Sequence, residues 1–200
     1  LIQREDGSWV RGNVKVDYIA EFRISVQPAN LTVAASSSKE NAIAIAVTSV
    51  NNEEKEIYFY NQFDFSWLCS DVGPDYEIPF THDKNTSGTY RKADIIKITF
   101  TKKFNLDSLT NFARNCINLV ELVNEKSDDP NELPPIRQGV SGYEGFLRGC
   151  TSFNQDIVIP EGTSGKRALR DFMRDCTSFN KSITLPDGLT GESILHGFLR

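Results

Sequence analysis

Histidine and methionine are nearly missing from this chain, with two His and one Met in 200 residues. That leaves little stock for histidine-based catalysis or a His-rich metal centre. The four cysteines, Cys69, Cys116, Cys150 and Cys176, include no CxxC pair, which argues against a zinc ribbon, a thioredoxin-type redox site and haem attachment. No GxSxG, HExxH or P-loop motif occurs; the glycines of residues 162–166 imitate half of a phosphate loop without its spacing. No catalytic residue, metal or cofactor is therefore expected. No apolar run approaches the roughly 18 residues of a membrane-spanning helix. Positive charge is short too, with Lys+Arg 22 against Asp+Glu 27. A general nucleic-acid binder needs a basic face, so none is expected.

What is present is ordinary for a globular chain: 39% hydrophobic and 24% charged residues, enough to bury a core. The chain begins at Leu1 and stops at Arg200 inside a repeat, so a piece of a longer protein is expected. That repeat is the strongest signal. Residues 146–171 align without a gap on residues 172–197, with identities that include Phe146/Phe172, Arg148/Arg174, Cys150/Cys176, Phe153/Phe179, Ile157/Ile183 and Pro160/Pro186. A further copy opens at Phe198, and a degenerate one starts at Phe112 and carries an acidic, proline-rich insertion at residues 124–135.

Leu169, Phe172, Met173 and Cys176 follow the i, i+3, i+4, i+7 spacing of an amphipathic helix, as do Leu109, Phe112 and Cys116. The IVIP and ITLP runs that follow predict one strand of about four residues per copy. A helix and a short strand cannot bury their own apolar face, whereas stacked copies can. The pattern F-x-x-C-T-S-F-N-x-x-I-x-[IL]-P-x-G resembles the BspA-like leucine-rich repeats of bacterial surface proteins, with Phe153 and Phe179 at a usual leucine position. The resemblance implies an α/β solenoid over residues 104–200.

The first half reads differently. Alternating runs (Phe22, Ile24, Val26; Leu31, Val33; Ile43, Ile45, Val47; Ile57, Phe59; Ile95, Ile98, Phe100) are separated by turn-forming clusters, which predicts an antiparallel β-sandwich over residues 21–103. The segments ISVQPANLTVAA, SWL and NTSGTYRKADIIKITF resemble the BACON family of Ig-like sandwiches, although that family's other tryptophan is absent. Residues 1–20 read as an N-terminal strand, at 14–19, or as the tail of a preceding domain. The expected fold is thus multidomain: an all-β Ig-like sandwich, then an α/β leucine-rich-repeat-type solenoid.

Candidate residues each carry two readings. The repeated cysteines read as buried thiols or as disulfide partners, and burial is favoured. Arg148, Arg174 and Arg200 form either an anion-binding stripe or a solvated face balanced by Asp171 and Asp175, and the second is favoured. Trp67 is assigned to core packing; Tyr58 and Tyr60, on the opposite face from Ile57 and Phe59, stand open to sugar stacking. Between copies, Gln155 changes to Lys181, Asp156 to Ser182 and Val158 to Thr184 while the frame stays fixed. These six are the candidate ligand-binding positions, since positions free to differ can tune a surface.

The resemblances imply a non-enzymatic adhesion or ligand-binding protein, extracellular or on the cell surface, that recognises a glycan or a protein on a cell or mucus surface. The alternative is a structural or receptor-binding fibre, tail or head component of a bacteriophage virion, in contact with other virion proteins.

Overall fold

The computed structural model describes residues 2–3, 9–10, 39–81, 87–102, 108–136 and 142–200. The chain divides into two compact units, Leu1–Ser38 and Lys39–Arg200. In the first, β1 (Ile2–Gln3) pairs antiparallel with β2 (Trp9–Val10). The strand expected at 14–19, and the runs at residues 22–33 that opened the sandwich pattern, lie outside the described residues.

The second unit begins with strands set by period-2 alternation. β3 (Ala44–Val50) and β4 (Glu53–Phe59) form a hairpin closed by Asn51 and Asn52, whose φ values of 53° and 65° are those of a tight two-residue turn. Asparagine tolerates this left-handed backbone, and the turn's twist matches that of the strands. A separate hairpin joins β5 (Glu77–Thr81) to β6 (Ser87–Arg91). β7 (Ile95–Phe100) pairs antiparallel with β3 and parallel with β8 (Glu121–Asn124), which gives a four-stranded mixed sheet of order β4-β3-β7-β8.

This sheet overturns the expected sandwich. Two antiparallel sheets would have to pack face to face, but here one sheet takes its fourth strand from beyond residue 103, where the sandwich was to end. The buried side chains Ala46, Ile57, Ile98 and Leu122 line up across its four strands, and Ala44, Phe59 and Phe100 line up beside them. They join one hydrophobic core with Phe112, Phe146, Phe172 and the other apolar residues of the repeats.

The expected leucine-rich-repeat solenoid is overturned as well. No α-helix occurs among the described residues. Rows of turns centred on Phe112, Phe146, Phe172 and Phe198 stand where helices were expected. Alternate N–H groups in a row bond back three residues, as Phe112 to Leu109 and Arg148 to Gly145. The intervening ones donate to the next row: Leu147 to Phe172 and Gly149 to Arg174, then Asp171 to His196 and Met173 to Phe198. Every fourth residue is left-handed, at Asn111 and Asn115, Gly145 and Gly149, Arg167, Asp171 and Asp175, and Ser193 and Gly197. A left-handed residue cannot sit inside a right-handed helix. A four-residue turn period places apolar side chains at the same i, i+3, i+4, i+7 positions, which is why the spacing imitated a helix.

The strands of the repeats are short: β9 (Ile157–Val158) and β10 (Ile183–Thr184) pair in parallel, Ile157 opposite Ile183. Inside the rows, Phe112, Phe146, Phe172 and Phe198 stack with centroids 5.4, 5.7 and 5.4 Å apart and planes within 16° of parallel. Phe65 and Phe100 meet Phe112 at 5.1 and 5.4 Å and carry this column into the sheet. Aromatic pairs of this kind contribute about 0.5–1.5 kcal/mol each beyond their burial. The acidic insertion is an ordered turn: Asn124 donates to the Glu132 carbonyl and accepts from the Lys126 N–H, and Glu132 bridges to Val158.

Glycine alternates with Asx along the stack, as Asn111, Gly145, Asp171 and Gly197. A Cβ on Gly145 would lie 2.3 Å from Asn111 Oδ1, and one on Gly197 would lie 2.3 Å from Asp171 Oδ1. The Asx side chain of one row therefore fills the space that a glycine leaves in the next. Gly145→Ala is expected to destabilise by about 2–3 kcal/mol, from left-handed strain plus this overlap. Gly73→Ala, with nothing within 4 Å, serves as the control. Urea denaturation of the pair gives the difference, and equal stabilities would contradict the alternation argument.

Candidate functional site

Three of the candidate residues meet in one place. Gln155, Asp156 and Lys181 line a shallow depression of about 640 Å³, with Val120, Val123 and Pro130 as its apolar part and Glu121, Asn131 and Asn154 as its remaining polar part. Four stretches of chain build it. β8 and the residue before it supply Val120, Glu121 and Val123, the insertion supplies Pro130 and Asn131, the segment leading into β9 supplies Asn154, Gln155 and Asp156, and the one leading into β10 supplies Lys181.

The side chains differ in what they have left to offer. Gln155 is held: its Oε1 accepts the Leu122 N–H at 2.9 Å, and its Nε2 donates to the Leu122 carbonyl and to Asn131 Oδ1, both at 2.7 Å. The side chain acts as a substitute strand beside β8, and this role was not legible in the sequence. Asp156 is exposed and uses one oxygen, which accepts the Ser182 N–H at 2.8 Å; Asn154 Oδ1 likewise accepts the Asn180 N–H at 2.9 Å. Lys181 is exposed. Val120 is 53% exposed, an uncovered apolar group beside these polar ones. A floor this open suits a flat or extended partner better than a small molecule that must be enclosed.

The other candidates lie elsewhere. Val158 is half-buried in β9, while Ser182 and Thr184 are exposed, Thr184 on β10, and none of the three lines the depression. Tyr58, on the edge strand β4, is half-buried and donates from Oη to Glu56 Oε2 at 2.5 Å. That bond and partial burial push its pKa up to about 12. Tyr60 is half-buried as well, and its N–H donates to Asp64 Oδ2 at 2.8 Å. Neither tyrosine is among the residues that line the depression. Trp67 is half-buried against Phe59, at 5.8 Å.

The arginines are less solvated than expected. Arg114, Arg148 and Arg174 have side chains 20%, 28% and 33% exposed. Arg114 pairs with Asp71, Arg148 with Asp175, and Arg174 with both Asp171 and Asp175. Arg148–Asp175 joins neighbouring rows, Arg174 pairs within its own row and Arg114 reaches the segment after β4; at the surface each contributes modestly.

One buried charged residue was missed. Lys92 is fully buried, and its Nζ donates to the carbonyls of Leu68 at 3.0 Å, Ser70 at 2.6 Å and Arg114 at 3.1 Å. An ammonium has three protons, and here each has an acceptor. Burial lowers its pKa, with Cys116 and Cys69 opposing that shift. Lys92 ties the segment after β4 to the first row of turns. In the sequence it is one lysine in RKADIIKITF, and nothing in its neighbours marks it as internal.

All four cysteines are free thiols. Cys150 Sγ donates to the Ala113 carbonyl and Cys176 Sγ to the Leu147 carbonyl, each at 3.0 Å and each one row back. Burial pushes Cys69 up to about 11 and Cys116 and Cys176 up to about 12, and raises Cys150 well above its ordinary range. Such thiols are protonated and poorly nucleophilic at neutral pH. Among the described residues no helix is long and apolar enough to cross a membrane, and no group of three or more His, Cys, Asp or Glu could hold a metal ion. Comparison of the chain with protein-family models, with curated proteins and with solved structures finds no match.

Proposed function

We propose that the chain is a non-enzymatic binding protein that works outside the cell or at its surface and contacts a glycan or protein partner through the depression beside β8. One observation carries this reading. Identical residues of the repeats form the frame, with Phe146, Phe172 and Cys150 buried, whereas the exchanged residues Asp156 and Lys181 are exposed and meet in one depression. A fixed frame with a changeable surface is how repeated units adapt to ligands. The depression offers hydrogen-bonding groups of both kinds and an exposed valine, a mixture that suits polar partners with apolar patches.

The test is a glycan array and a panel of extracellular matrix and mucin proteins, probed with the native chain and with the double variant Asp156→Lys, Lys181→Glu. Exposed positions contribute little to stability, so the melting temperature is expected to move by no more than about 2 °C. Affinity for any ligand found is expected to fall at least about tenfold, the size of effect reached when a few central contacts are lost. Unaltered affinity in the double variant would place the contact elsewhere on the molecule.

A further inference from the structure

The turns at residues 160–162 and 186–188 occupy the same place in successive copies and differ in one residue, Glu161 against Asp187. In each, the proline is buried and the two residues after it are exposed. Gly162 and Gly188 have φ values of 78° and 70°, a left-handed backbone that glycine adopts without strain. Neither glycine N–H donates to a backbone acceptor among the described residues, and a Cβ built on Gly188 would meet nothing within 4 Å. This openness belongs to the turn itself. β9 has chain on both sides, Glu132 and β10, and the Glu161 and Gly162 that follow it are exposed all the same.

The exchange of Glu for Asp changes the chemistry open to such a turn. A backbone nitrogen that follows Asp can reach that residue's own side-chain carboxyl through a five-membered ring, whereas after Glu the ring is larger and closes far less readily. A following glycine leaves the nitrogen unshielded and its peptide plane free to rotate. Asp187–Gly188 is the one Asp–Gly or Asn–Gly step among the described residues; Asp6–Gly7 lies outside them.

We propose that Asp187–Gly188 is a site of spontaneous backbone isomerisation, at which the chain slowly converts Asp187 to isoaspartate. The Gly188 nitrogen attacks Cγ of the protonated Asp187 carboxyl. A bond forms between nitrogen and Cγ, and the carboxyl hydroxyl leaves as water with the proton from the nitrogen, which gives a succinimide. Water then adds to one of the two ring carbonyls. Attack at Cγ returns Asp187. Attack at the main-chain carbonyl breaks its bond to the Gly188 nitrogen, so the backbone runs through Cγ and a free α-carboxylate projects from the turn. No oxidant, metal or second substrate is consumed. The pairing of Ile183 with Ile157 and the buried Pro186 precede the altered bond, so β10 keeps its register. The site is separate from the depression beside β8, and the proposal stands whether or not that depression binds.

The native chain is incubated for weeks in heavy-oxygen water at neutral pH and then digested with trypsin in ordinary water. Residues 182–200 form one tryptic peptide, in which Asp187 is the sole Asp. A second isomer of this peptide is expected, carrying one heavy oxygen and accepting a methyl group from an isoaspartyl-specific carboxyl methyltransferase. Its rate of formation is expected to lie within about tenfold of that in a free synthetic peptide of residues 182–200, because an exposed turn opens at almost no cost. The tryptic peptide of residues 149–166, with Asp156 and Glu161, is expected to isomerise at least about tenfold more slowly, since the N–H after Asp156 is held by the Ser182 carbonyl. Asp187→Glu, which installs the residue of the preceding copy, is expected to abolish the labelled isomer and leave the amide spectrum of the rows unchanged. No labelled isomer of residues 182–200, equal labelling of residues 149–166, or a labelled isomer that persists in Asp187→Glu would each overturn the proposal.

Discussion

Raising the pH from about 8 to about 10 is expected to remove about 5 kcal/mol of stability through the four thiols, each contributing a little over 1 kcal/mol. The sign follows from the direction of the shifts. Cys69, Cys116 and Cys176 are raised to about 11, 12 and 12 in the folded chain, and Cys150 is raised further still. In the unfolded chain they ionise near 9. Between these values the unfolded state gives up its protons and the native state does not, so stability is fully present below pH 9 and is lost as pH rises towards the folded values. Lys92 works the other way, because its lowered pKa favours the native state as pH rises, and it offsets part of the loss. Denaturant unfolding across this range checks the slope. Replacing Cys150 and Cys176 with Ala lowers stability at pH 8 but should roughly halve its pH dependence. A native state whose stability is flat to pH 10 would mean that the thiols are not buried as described.

The second large effect is expected from Lys92→Met. Methionine fills much of the lysine's volume but leaves the carbonyls of Leu68, Ser70 and Arg114 without their donor. Each buried, unpaired acceptor costs about 1–3 kcal/mol, so a loss of about 3–5 kcal/mol is expected, reduced where water enters. Lys92→Arg should also destabilise, since a planar guanidinium cannot direct its protons at three carbonyls placed around an ammonium. Stability unchanged in Lys92→Met would show that the tie between the segment after β4 and the first row is dispensable. A loss seen only in the sheet, with the rows still folded, would show that the two are not one cooperative body.

Much of the local structure was legible, while much of the assembly was not. The turn at Asn51 and Asn52 and the strands around Ile57, Phe59 and Ile98 follow from alternation and turn chemistry. Alternation alone does not separate the faces of β3: Ile45 is buried and Ile43 packs against the core, while Ala44 and Ala46 face the aromatic core, where small side chains leave room for Phe59 and Phe100. The parallel pairing of β7 with β8 joins residues on either side of position 103, and no local pattern encodes it. The rows of turns were hidden by a coincidence of spacing. Gly145 and Gly149, with Asn111 and Asn115 at equivalent positions, were the available signal, because two helix-disfavouring residues four apart on each row oppose a helix.

The same contrast applies to the candidate site. The exchange of residues between copies pointed to Asp156 and Lys181, which do share a surface. It also pointed to Gln155, whose amide completes the hydrogen bonding of Leu122. Substitution of a residue between copies marks freedom from the common frame, and in this case the freed side chain took a structural task created by the neighbouring insertion. Tyr58 and Tyr60 follow strand alternation, but alternation gives a face of one strand and says nothing about what other segments bring beside it.

The central claim is that the rows are hydrogen-bonded turns stacked on one another and continuous with the sheet through one aromatic column. Through-hydrogen-bond scalar couplings between amide nitrogen and carbonyl carbon test it most directly, because each coupling names both partners of a bond. The account predicts correlations from Leu147 to Phe172, Gly149 to Arg174 and Met173 to Phe198, together with Val120 to Ile96 at the sheet. Correlations from each of these row residues to the carbonyl four places earlier, the mark of an α-helix, would contradict it.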